Sequence, residues 1–128
     1  MRNAVSAQRF AIDQIIRRDP VQVTVQRRTW TEQDGGRAVA ATTHGPFTIY
    51  VFAKVDRGFM GDVTGDAGSR RVLDWQALAY HDADFRFGAF VEDTFTIPDE
   101  GTFTVREVVP LKVGRGLGGY HLFLERVY

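Results

Sequence analysis

Residues 94–109 read TFTIPDEGTFTVREVV. Two runs rich in threonine, phenylalanine and valine, 94–97 and 103–109, flank Pro98-Asp99-Glu100-Gly101. Proline presets the backbone for a turn's second residue, and aspartate and glycine tolerate the conformations that follow. The stretch therefore predicts a hairpin of two antiparallel strands. Working outward, Val21, Val23 and Val25 alternate with Gln22, Thr24 and Gln26, which predicts a half-buried strand running on toward Trp30. Phe47 to Lys54, FTIYVFAK, is apolar on both faces, as suits a central strand or one covered on its outer side. In VLDWQALAY, 72–80, Leu73, Trp75, Ala77 and Ala79 share one face. A turn at His81-Asp82-Ala83-Asp84 and a strand over about 85–91 are expected next, and YHLFLERVY, 120–128, closes the chain after a glycine-rich loop at 113–119.

Helical spacing is confined to residues 4–18, AVSAQRFAIDQIIRR, where Ile12, Ile15 and Ile16 line one face and Val5 lies seven residues before Ile12. Asn3 or Ser6 could cap its start, and Arg17 and Arg18 suit its negative end. Pro20 forces Asp19 out of the helical region and ends it. Residues 31–45, with Gly35-Gly36 and Gly45-Pro46, read as a polar loop, and 55–71 as a long mid-chain loop. One short N-terminal helix and six to seven strands with hairpin turns predict a mainly β protein. The expected architecture is a small antiparallel β-barrel or sandwich, in a single domain over 1–128.

Composition narrows the classes. A chain of 128 residues with 44% hydrophobic residues can bury one core. Sixteen basic residues balance sixteen acidic ones, unlike the basic domains that bind nucleic acid by charge. With no cysteine there are no disulfides and no thiolate metal sites. No apolar run approaches the ~18 residues of a membrane span. The segment MRNAVSAQRFAIDQ lacks a signal peptide's apolar stretch, so a soluble intracellular chain is expected. Fourteen arginines against two lysines favour planar ion pairs and protein interfaces, and so suit an assembly subunit slightly better than a free monomer.

Catalytic motifs are weak. Gly114-Arg115-Gly116-Leu117-Gly118-Gly119 satisfies G-x-G-x-x-G, but a β-patterned segment follows where a dinucleotide site needs a helix. A hairpin connection is preferred and no cofactor is expected. His44, His81 and His121 share no metal-ligand spacing, and His81-Asp82-Ala83-Asp84, the one cluster suited to a divalent ion, is also ordinary turn chemistry. Neither Ser6 nor Ser69 sits in G-x-S-x-G, and Asp93, Asp99 and Glu100 cluster near turns, where acidic residues are common. The chain reads as a non-enzyme. Its oddity is Gly58-Phe59-Met60-Gly61, two large apolar side chains in mid-loop, which could plug one end of the barrel or meet a partner.

The last third also forms a series: Asp93-Thr94-Phe95-Thr96-Ile97, Gly101-Thr102-Phe103-Thr104-Val105, Val108-Val109-Pro110 and His121-Leu122-Phe123-Leu124-Glu125-Arg126. It resembles the C-terminal part of the small β-barrel head-closure proteins of long-tailed bacteriophages, the head-to-tail stoppers. Asp93 stands at that pattern's aspartate and Phe103 at its aromatic, while Glu92 replaces the usual glycine. The front agrees more loosely, through a short helix, a valine-rich strand ending in Arg27-Arg28, a Gly-Gly loop and FTIYVF. The resemblance implies a virion protein of the neck, made in the host cytoplasm, with no membrane association. It implies a ring of about six copies below the portal and adaptor ring. Such a ring seals the DNA channel after packaging and docks a tail terminator or tail tube, meeting packaged DNA only in passage. The family's long loop closes the channel. Here that loop corresponds to 55–71, with Phe59 and Met60 at its apolar tip beside Asp56, Arg57, Asp62 and Asp66. The nearest alternative is a tail terminator or tube-like ring subunit, although no long hairpin of the tube type is legible. A small ligand-binding barrel, or an enzyme using His81, Asp82 and Asp84, stands further off.

Overall fold

The structure, a computed structural model, describes residues 4–33, 36–55 and 73–127. Helix α1 (Ala4–Ile16) precedes strands β1 (Val21–Gln33), β2 (Gly36–Val55), β3 (Leu73–Tyr80), β4 (Phe87–Gly88), β5 (Val91–Ile97), β6 (Gly101–Val113) and β7 (Gly116–Val127). All pairings are antiparallel, in the order β1-β2-β3-β7-β6-β5-β4. A further pairing of β1 with β5 closes six strands into a barrel and leaves β4 as an extra strand. The mainly β expectation holds, and the barrel form is the one adopted.

The Pro98 turn forms as its residues require. Glu100 N–H bonds Ile97 C=O at 3.0 Å, Pro98 takes the second position, and Asp99 at the third has φ +72°. That is the φ pattern of a type II turn, and it sets the register Ile97↔Gly101 and Phe95↔Phe103. Inward-facing residues then fill the barrel. Phe95, Phe103, Ile49, Leu122, Val23 and Val25 are fully buried. An aromatic file runs Phe47–Phe85–Phe95–Phe103–Trp75, with ring centroids 5.1, 6.2, 5.8 and 5.1 Å apart. Offset and tilted contacts at such distances stabilise beyond plain area burial.

Three expectations are corrected. Of the expected loop, residues 31–33 and 36–45 are strand: β1 and β2 pair without a break from Val25↔His44 out to Gln33↔Gly36. Thr31, Val39, Ala40 and Ala41 are exposed, so at these positions no buried face imposes an apolar alternation on the sequence. The strand expected at 85–91 shrinks to Phe87–Gly88, because the chain turns back at Ala89-Phe90 into β5. The glycine-rich stretch 113–119 is mostly strand, with only Gly114-Arg115 turning between Val113 and Gly116.

The remaining glycines seat the helix. An added Cβ at Gly116 would fall 2.0 Å from Val5, one at Gly118 2.1 Å from Gln8, and one at Gly119 2.8 Å from Ile12 and 2.7 Å from the Ala79 carbonyl oxygen. Ile12 and Ile16 are thereby buried, Tyr80 O–H donates to Asp13 Oδ1 at 2.7 Å, and Arg9 Nε donates to the Leu117 carbonyl at 2.9 Å. The helix ends at Ile16, two residues short of the expected span, and packs on its own barrel against β7, β3, β2 and β6. Among the described residues no helix is long and apolar enough to cross a membrane.

Replacing Ile16 by alanine is expected to lower unfolding free energy by about 2–5 kcal/mol. Gly119→Ala, which must displace backbone, should cost about 1–3 kcal/mol. Urea denaturation of the two variants measures both.

Candidate functional site

The densest polar cluster lies where β1 and β5 close the barrel. By strand alternation Val21, Val23, Val25 and Arg27 share the inward face of β1, so a guanidinium enters the barrel where the pattern would place another valine. Asp93 faces it in register, Arg27↔Asp93. The two are 3% and 0% exposed. Arg27 Nε donates to Asp93 Oδ1 at 2.8 Å and Nη2 donates to Oδ2 at 2.9 Å, a bidentate pair. Arg86 N–H adds a third donor to Oδ2 at 2.7 Å. Asp84 takes the rest of the guanidinium, its carbonyl oxygen 2.8 Å from Nη2 and its Oδ2 3.3 Å from Nη1.

The hydrogen bonds to Asp93 hold the guanidinium's pKa above its ordinary value against desolvation, with Asp84 adding to the effect. At Asp84 burial pushes the carboxyl up, but hydrogen bonds from Arg86 and Arg27 outweigh it and the net shift is downward. Each charged group of the cluster is met by an opposite one, so the arrangement fixes geometry. It is a clamp on barrel closure.

The residues expected to bind or react are dispersed. Asp84 of the His81–Asp84 turn points to Arg27 and Arg86, while Asp82 is exposed. Among the described residues no three His, Asp or Glu side chains converge as metal ligands. His44 meets Thr42 at 2.8 Å and His121 meets Gln76 at 2.7 Å, on different strands. Asp99 and Glu100 sit in the Pro98 turn, whereas Asp93 is buried far inside, so the three carboxylates form no set. Ser6 is exposed on α1. The proposed loop residues Asp56, Arg57, Phe59, Met60, Asp62 and Asp66, with Ser69, lie outside the described residues.

The sequence reading missed an exposed apolar patch. Trp30 pairs with Val39 across the β1–β2 hairpin, and Trp30 N–H bonds the Phe90 carbonyl at 3.0 Å. Val39, Phe87 and Phe90 are 54%, 45% and 56% exposed. A groove of about 290 Å³ opens beside them, lined by Trp30, Phe87, Val91, Glu92 and Arg106 among others. The two phenylalanines flanking Gly88-Ala89 could have signalled this patch, but they were absorbed into the expected strand. Comparison of the chain with protein-family models, curated proteins and solved structures finds no match.

Removing Asp93 leaves a buried guanidinium without its counter-charge, so Asp93→Ala should lose about 3–5 kcal/mol of stability. The double variant Arg27→Met/Asp93→Leu should recover much of that loss, as a denaturation cycle would measure. Because the folded pKa of Asp84 lies below the unfolded value of about 3.9, its contribution is present above that pH and vanishes as pH falls through the folded pKa. Asp84→Asn should flatten the acid limb of a stability–pH curve.

Proposed function

We propose that the chain is a non-enzymatic structural subunit of a phage neck, a head-to-tail stopper. In this reading about six copies form a ring below the portal and adaptor, seal the DNA channel after packaging and present the surface on which the tail docks. One observation carries the proposal: the residues of the resemblance lie on three neighbouring barrel strands, and Asp93 and Thr94 among them stand in the β1–β5 pairing that closes the barrel. Asp93–Ile97 lies in β5, Gly101–Val105 in β6 and His121–Arg126 in β7, and the aspartate of the pattern is the buried partner of Arg27. The filled interior supports a ring as well. With Phe95, Phe103 and Leu122 inside the barrel, a passage for DNA has to run between copies. The resemblance assigns the gate to 55–71, a segment whose apolar Phe59 and Met60 and acidic Asp56, Asp62 and Asp66 suit a closure that does not hold DNA phosphates.

A second reading gains from the long β1–β2 hairpin. Among the described residues, beyond Thr29 on β1 and before Ile49 on β2 the two strands pair only with each other, apart from the Trp30–Phe90 hydrogen bond. Their outer edges can accept a further strand from a neighbouring subunit, as a tail-tube or terminator subunit requires.

Peptide mass spectrometry on density-purified particles separates these readings. A few copies per particle, far below the shell protein, supports the neck assignment; hundreds move the chain to the tube, and absence overturns both. Within the stopper reading, Phe59→Ser/Met60→Ser should release DNA from tailless heads, and unchanged retention would sink the gate.

A further inference from the structure

Two apolar surfaces lie on opposite sides of this barrel. In the closed order β1-β2-β3-β7-β6-β5, the β3–β7 seam is three strands round from the β1–β5 seam, across the barrel axis. The outside of β2, β3, β7 and β6 carries two cross-strand rows. One is Tyr50–Leu78–His121–Val109 and the other Phe52–Gln76–Phe123–Glu107. Their strand neighbours Ile49, Ala77, Ala79, Leu122 and Leu124 face the core, so these rows face outward. Their rings lie against one another, Tyr50 to Phe52 at 5.7 Å, Phe52 to His121 at 6.3 Å and His121 to Phe123 at 4.5 Å, and the histidine is pinned to Gln76. The result is a preformed aromatic wall, its rings half-buried and its Gln76 covered. Across the barrel stand Trp30, Val39, Phe87 and Phe90 with their groove.

The two surfaces also differ in charge. The wall ends in Glu107, exposed and with no ion-pair partner among the described residues. The opposite patch carries exposed Arg28, its guanidinium 5.8 Å from the Trp30 ring centroid. Single apolar residues on a surface are ordinary, but contiguous rigid aromatic patches mark contact sites. A two-fold dimer would bury one kind of patch twice and leave the other in water. Head-to-tail stacking buries both in every interface and, where the rotation closes, makes a ring.

We infer that copies of this chain associate head to tail, the aromatic wall of one (Tyr50, Phe52, His121, Phe123, Glu107) docking on the Arg28–Trp30–Phe90 side of the next. The inference rests on the ring reading above and names the faces that build the ring.

Sedimentation of the full chain tests it. Phe52→Ser disables the wall and Phe90→Ser the opposite patch, so each variant alone should lose assembly by about tenfold or more in Kd. Mixed, the two variants still share one intact pair of faces and should stop at a dimer. Near-ultraviolet circular dichroism checks their folding. If Phe52→Ser unfolds, the exposed pair replaces it: Glu107→Arg and Arg28→Glu should each weaken assembly, and the chain carrying both should regain it. Several outcomes overturn the inference. They are a wild-type chain still monomeric at about 1 mM, a mixture that forms no dimer, or assembly indifferent to all four substitutions. In the last case the wall does not meet a second copy of this chain. Rings that persist through these substitutions would leave the ring reading standing on other faces, and the particle copy number judges that reading separately.

Discussion

A six-stranded barrel exists only if its first and last edges meet in register, and here that condition falls on four residue pairs, Gln26↔Thr94 to Thr29↔Val91. Backbone hydrogen bonds alone do not choose among registers, since a slip of two residues preserves both the ladder and the faces. The Arg27–Asp93 pair supplies the choice. A slip leaves a guanidinium and a carboxylate buried without each other, a cost of several kcal/mol on top of the apolar contacts it disturbs. Asp84 and the Arg86 N–H reinforce the match from the segment leading into β4, so that turn too is held by the same pair. The aromatic file, the helix seat and both outer surfaces depend on a barrel closed in this register.

Legibility followed from whether a residue's role is local. Pro98-Asp99-Glu100-Gly101 could be read because a turn is decided by its own residues. The double-faced apolar run FTIYVFAK was also informative: Ile49 faces the core while Tyr50 and Phe52 join His121 outside, so the expected outer contact has a concrete surface. Barrel against sandwich was undecidable, because it turns on a pairing between residues 66 apart in sequence. The outer part of the β1–β2 hairpin escaped because successive exposed residues such as Val39, Ala40 and Ala41 lack the alternation that marks a strand. Arg27 continued the parity of three valines, and that break in pattern was the available sign of a buried ion pair.

The glycine run was half understood. Rejecting a nucleotide loop there agrees with the β7 strand that follows, and Gly114-Arg115 does turn the chain. What the motif could not express is that Gly116, Gly118 and Gly119 are small because a helix from the other end of the chain lies on them. Of the candidate gate, the sequence gives chemistry alone: apolar Phe59 and Met60 among aspartates, in a segment outside the described residues.

That helix seat has a consequence for biosynthesis. Arg9 bonds the Leu117 carbonyl across 108 residues, so α1 cannot make this contact until Leu117 has been made. β7 must likewise enter between β3 and β6 before the barrel can close. The β1–β2 hairpin forms from local contacts, and then waits with exposed edges while the C-terminal strands emerge. Folding dominated by such distant contacts is slow, and unpaired edges invite pairing between chains in the interval. β7 joins β3 to β6 and provides the helix's seat, so barrel closure and helix docking both wait on that one strand.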